Sequence, residues 1–143
     1  MKQQRRALLL SGLMYLWALC SSTAAAETFA WSQVAEEIVA QINMAESFYQ
    51  EDKPKEAGHA VTKAYFGIFE DRKMEAAMRI ELGAQHAYEV EQQFGALRKA
   101  IRRQADKQTV QGLAQEIRVS VERDARTLDQ ANIPMEVFEI KPR

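Results

Sequence analysis

Apolar residues recur every three or four positions through four successive stretches of the chain, and this pattern restricts the fold more than any other feature. From Trp31 to Gln50 the recurring positions are Val34, Ile38, Ile42, Ala45 and Tyr49. From Pro54 to Glu70 they are Val61, Tyr65, Ile68 and Phe69, with Ala57 and Ala64 alongside. From Met74 to Gln104 they are Met74, Ala77, Met78, Ala84, Tyr88, Phe94, Leu97 and Ile101, and from Thr109 to Asp129 they are Val110, Leu113, Ile117, Val121 and Leu128. This is the spacing of one face of an α-helix. No stretch alternates as a strand does, and three prolines and six glycines are too few for a many-stranded fold. Ser32 is the expected N-cap of the first helix. Pro54 suits the first turn of the second. Asp71-Arg72-Lys73 is the expected second break, although no Gly or Pro marks it. The third helix would approach 46 Å at about 1.5 Å per residue, with bends at Gly83 and Gly95. Asp106 to Thr109 reads as a polar turn, with Thr109 as a cap. Short connections favour antiparallel neighbours, so the expected fold is all-α, an up-down antiparallel four-helix bundle. Residues 132–143 form an irregular C-terminal tail whose Ile133, Met135, Val137 and Phe138 are expected to dock back.

The first 26 residues read differently. Lys2, Arg5 and Arg6 make a basic start, Ala7 to Cys20 is apolar apart from Ser11 and Gly12, and Ala24 and Ala26 stand in an A-x-A arrangement before Glu27. That is the layout of a cleaved secretory signal peptide. The apolar run of about 14 residues is shorter than the roughly 17–25 needed to span a bilayer. Leu19 beside Cys20 argues against lipidation. The expected organisation is therefore a signal peptide over residues 1–26 and one helical domain over residues 27–143, in the periplasm. The whole chain has 143 residues, 19 basic and 20 acidic, for a formal charge of -1. Cleavage would remove three basic residues and no acid, leaving -4 and no cysteine. The charge balance gives no electrostatic case for nucleic acid.

The remaining domain holds no Cys nucleophile, no Gly-rich phosphate loop and only two histidines, His59 and His86. Carboxylates, histidines and methionines on helices remain, and these are the ligands that bundle interiors offer to metal ions. Glu70 and Glu75 flank the second break. Their oxygens suit iron and other hard cations, and Met74 and Met78 beside them offer thioethers to copper(I). Solvation, or capping of the third helix by an acid, is the simpler role for both glutamates. Glu81 sits near an apolar stripe and so requires a partner: Arg79, Arg118 or a metal. His86 and Glu89, three residues apart on one helix, can share an ion or form a surface hydrogen bond. His59 shares a face with Phe66 and Glu70. The aromatics Tyr65, Phe66, Phe69, Tyr88 and Phe94 read as core rather than as a cofactor box.

The run from Ala64 to Met78, AYFGIFEDRKMEAAM, followed by HAYEVEQQFGALRKAI from His86 to Ile101, resembles the extracytoplasmic helical domain of bacterial Ftr-type (EfeU-like) iron permeases. The matching residues are Tyr65, Phe66, Phe69, Glu70, Met74, Glu75, Glu91, Phe94 and Leu97. The permeases' own Arg-Glu-x-x-Glu motifs, carried in membrane helices, are missing here, and Arg79-Ile80-Glu81 is not such a motif. The resemblance implies a stand-alone accessory domain rather than a channel. It would bind iron, or copper, and relay it to a membrane iron permease, with a periplasmic copper protein as a further partner. Such a protein is not an enzyme. The expected metal ligands are Glu70, Glu75, His86, Glu89, His59, Glu81 and Met78. Two other readings stand beside this one, a docking module that binds no metal and a ferroxidase. A homodimer would follow if one apolar stripe were left uncovered.

Overall fold

A computed structural model describes residues 30–135 of the chain. The signal-peptide reading and the docking of Val137 and Phe138 fall outside these residues. All regular structure among the described residues is helical: α1 (Ala30–Gln50), α2 (Pro54–Ala64), a π-helical segment (Tyr65–Glu70), α3 (Met74–Glu81), α4 (Ala84–Arg102) and α5 (Lys107–Gln130). No helix among them is long and apolar enough to cross a membrane.

The apolar stripes read from the sequence meet in one core. Trp31, Val34, Ile38 and Ile42 of α1 are buried with Ile117, Val121 and Leu128 of α5. Phe69, Met74, Met78, Phe94, Leu97 and Ile101 join them. The helix α1 packs along α2 and α5, and α4 packs along α5 and α2. Polar contacts set the register of α1 against α5. At one end both Asp129 carboxylate oxygens receive the first turn of α1: Oδ1 accepts from the Trp31 N–H at 2.9 Å, and Oδ2 from the Ser32 N–H at 3.0 Å. Ser32 Oγ also donates to Oδ2. At the other end the Tyr49 hydroxyl donates to the Ala105 carbonyl. The two helices therefore run antiparallel. Ser32 is not the N-cap, because α1 begins at Ala30 and a carboxylate of α5 satisfies its free N–H groups instead. The tail turns back here, and the indole Nε1 of Trp31 donates to the Ile133 carbonyl at 2.6 Å. The helix α5, the fourth apolar stripe of the sequence, is capped by Asp106, which accepts from the Thr109 N–H at 2.8 Å, so it starts two residues before the expected cap.

Two elements differ from the sequence reading. The expected third helix is two helices, α3 and α4, broken at Gly83. Gly83 adopts φ +93°, a conformation open to glycine and strained for other residues. Gly95 continues α4 without interruption. The expected second helix changes register at Tyr65, where six residues are π-helical. Phe66 is thereby half exposed, and Tyr88 on α4 is half exposed as well, so these two aromatics lie outside the core while Phe69 and Phe94 lie in it.

The turn at Asp71-Arg72-Lys73 falls where expected. Lys73 closes it in the left-handed region, φ 64° and ψ 20°. A side chain there is strained, by about 1 kcal/mol for a non-glycine residue. Lys73→Gly is expected to raise folding stability by up to about 0.5 kcal/mol in urea unfolding, since relief of strain slightly outweighs the added freedom of the unfolded chain. A loss of stability would show that Lys73 makes a contact worth more than the strain.

Candidate functional site

The π-helical segment ends on Glu70, the turn follows, and α3 carries Glu75 and Arg79 on successive turns of one face. The Gly83 break then folds α4 back, so that Glu91 returns to α3. Arg79 lies between the two acids. Its Nε donates to Glu75 Oε1 at 2.6 Å and its NH2 group to Glu91 Oε1 at 2.7 Å. Glu75 and Glu91 thus share one guanidinium, and Glu75 acts on Glu91 across it. The Glu91 carboxyl is held above the usual carboxylate range. Burial is the main cause, followed by the hydrogen bond and negative charge of Glu75, and Arg79 opposes them. Its side chain is 17% exposed, so water screens little of this repulsion.

Tyr65, the first π-helical residue, completes the group. Burial pushes its hydroxyl well above the ordinary tyrosine range, and the neighbouring Glu70 carboxylate adds to this, with smaller effects from Glu91 and Glu75. Three carboxylates from three elements thus act on one phenol. The ring is fixed by aromatic neighbours: its centroid lies 4.7 Å from that of Phe66, edge to face, and 5.4 Å from that of Phe94. A cavity of about 310 Å³ opens beside it, lined by Tyr65, Glu91, Phe94 and Arg98 among others.

The residues singled out in the sequence are otherwise dispersed. Glu81 ends α3 and is exposed. Neither expected partner reaches it, since Arg79 is engaged as described and Arg118 pairs with Glu46 of α1 at 2.8 Å. Met78 and Met74 are fully buried in the core. Glu89 is exposed and accepts from Gln85 at 3.0 Å. His86 does not join it. His86 Nε2 stands 2.8 Å from Oδ2 of Asp124 on α5. Asp124 is 2% exposed, and its Oδ1 accepts from Arg123 Nε at 2.8 Å. His59 is exposed on α2, and no hydrogen bond or ion pair joins it to Glu70 among the described residues. It lines a separate groove instead.

Among the described residues, no group of three or more His, Cys, Asp or Glu side chains stands ready to hold a metal ion. Compared with known protein families, curated proteins and solved structures, the chain matches none.

Two residues important to these arrangements escaped the sequence reading. Glu91 entered only as part of the resemblance, because nothing in α4 alone indicates that the chain returns it to Glu75. Asp124 had a visible signal. It follows Ile117 and Val121 at helical spacing and precedes Leu128 by four, so it lies on an apolar stripe.

Proposed function

We propose that the chain is an exported accessory domain that binds a hard metal cation, iron foremost, through Glu75 and Glu91 with Glu70 adjoining, and relays it to a membrane iron permease. Its four long elements form an up-down antiparallel bundle, in which α2 continues through the π-helical segment and α3 serves as the connection into α4. The observation that carries this reading is the convergence of Glu70, Glu75 and Glu91 on Tyr65. Three successive elements supply these four residues, and all belong to the resemblance with the iron-permease domain.

The chemistry favours oxygen over sulfur. Met74 and Met78 are enclosed in the core, so they offer no thioether at the surface. Two carboxylates that share one arginine, one of them held partly against ionisation, gain from any cation that neutralises both. A seat with two protein carboxylates leaves the remaining coordination positions to water, as hard cations commonly accept. Such a seat releases its ion more readily than a closed cage, which suits transfer and not storage. Arg79 is the resident counter-charge that a metal ion would displace. A copper-containing periplasmic protein remains a proposed partner on the resemblance alone.

Metal titration tests the proposal. The folded chain is expected to take up about one equivalent of Mn(II), as an air-stable substitute for Fe(II), at micromolar to sub-millimolar concentration by calorimetry. Glu70→Ala/Glu75→Ala is expected to abolish the uptake. Absence of binding in the intact fold would favour the docking-module reading. Metal-dependent oxidation of Fe(II) above the uncatalysed rate would favour the ferroxidase.

A further inference from the structure

The groove between α2 and α4 carries a second feature, independent of the cation reading. Lys55 and His59 of α2 and Arg98 and Arg102 of α4 line one continuous cavity of about 510 Å³, floored by Pro54, Gly58 and Ile101. No carboxylate lines it. None of the four basic side chains has a carboxylate partner among the described residues; Arg98 lies 6.0 Å from the centre of the half-exposed Phe66 ring. This concentration of basic groups stands in a chain whose formal charge is -1.

Helix electrostatics accounts for only half of it. Arg102 lies in the last turn of α4 and Arg98 just before that turn, where the dipole welcomes cations. Lys55 lies in the first turn of α2, where the dipole opposes them. The groove therefore gathers like charges, and Glu56, the acid beside Lys55 in the first turn of α2, is not among its lining residues.

We infer that the α2–α4 groove docks an acidic segment of a partner protein, with an apolar side chain of that segment placed against Phe66 or Ile101. The complementarity of charge selects an acidic partner. The form of the groove selects a polypeptide over a small anion. All four basic side chains are exposed, and bulk water and salt screen a small anion held by exposed cations. A partner that covers the groove excludes water and strengthens each pair. The eleven residues of α2 span about 16 Å, the length of a short peptide laid between two helices. At its inner end the groove meets the cavity beside Tyr65 and Glu91, because Arg98 lines both. A docked segment would thus end beside the carboxylate group.

The test is fluorescence anisotropy of the folded chain with a labelled synthetic peptide of repeating Glu-Glu-Leu. Saturable binding is expected at low salt. It should weaken about tenfold or more in Arg98→Gln/Arg102→Gln, whose fold is checked by circular dichroism. Raised salt should weaken it likewise, and Arg126→Gln, on the exposed face of α5 away from the groove, should leave it unchanged. Amide shifts on peptide addition should map to Gly58, Thr62 and Ile101. Three outcomes overturn the inference: no saturable binding, equal loss in Arg126→Gln, or binding to phosphatidylglycerol vesicles through Arg98 and Arg102 without peptide binding. Because no metal is present, failure here leaves the cation proposal standing, and loss of metal binding leaves this one standing.

Discussion

Removing both partners of Asp124, in the double variant His86→Ala/Arg123→Ala, is expected to lower folding stability by about 3–5 kcal/mol, because it leaves a charge buried without compensation. The Asp124 side chain is 3% exposed, while those of His86 and Arg123 are 30% and 53% exposed. The burden therefore falls on one side of the interaction. His86 and Arg123 can both turn to water if the carboxylate is lost, so Asp124→Ala alone is expected to cost less, about 1–3 kcal/mol for the lost charge-assisted hydrogen bonds. Adding Asp124→Asn to the double variant should recover part of the loss, since a neutral amide tolerates burial better than an unpaired carboxylate. Urea unfolding of the four chains measures this. If the triple variant were no more stable than the double, the stranded charge would not be the cause.

The second large effect concerns Glu91, and its sign depends on pH. Burial and Glu75 hold the folded carboxyl above its ordinary value of 4.5. A group raised on folding contributes stability that is fully present below its unfolded value and is lost as pH rises through its folded value. Once the pH exceeds the folded value, the wild-type chain has lost that contribution. Glu91→Gln cannot ionise, keeps much of the shape and leaves Arg79 paired with Glu75. The variant is expected to be more stable than wild type at pH 7, with the difference shrinking as pH falls from the raised folded value towards 4.5 and levelling off below it. The same substitution is expected to weaken cation binding at least tenfold, because it removes half of the seat. Stability gained and binding lost together is the signature of a group retained for function at the expense of the fold. A Glu91→Gln chain less stable than wild type at pH 7 would mean that the Arg79 pair outweighs the repulsion.

The legibility of the sequence follows from which forces act locally. The stripes of α1 and α5 are regular, and their extents agree with the structure to within two residues. The break at Gly83 was visible as a glycine, but not as a full interruption, because the sequence does not reveal that its φ is positive. The π-helical register at Tyr65 has no local marker. Tyr65, Ile68 and Phe69 fit an ordinary helical stripe, and packing against Phe94 across the molecule accompanies the change. The turn at Lys73 was placed correctly from its charge run, although its left-handed residue is a lysine where glycine is usual.

The same unevenness marks the candidate site. Glu70 and Glu75 adjoin the turn and could be named from spacing. Glu91 is brought to them only by the reversal at Gly83. Glu81 and Asp124 show both sides of one inference, that a carboxylate on an apolar stripe requires a partner. For Asp124 the helix continues, the stripe is buried, and His86 supplies the partner across the interface. For Glu81 the helix ends at that residue, the stripe ends with it, and the side chain faces solvent.

The most direct test of the account is calorimetric titration of the folded chain with Mn(II) at pH 7, set beside Glu75→Gln/Glu91→Gln under the same conditions. The account predicts a single saturable site in the wild type, a rise in Tm with added metal, and neither effect in the variant. Binding of equal strength in both chains, or no binding in the folded wild type, would contradict it.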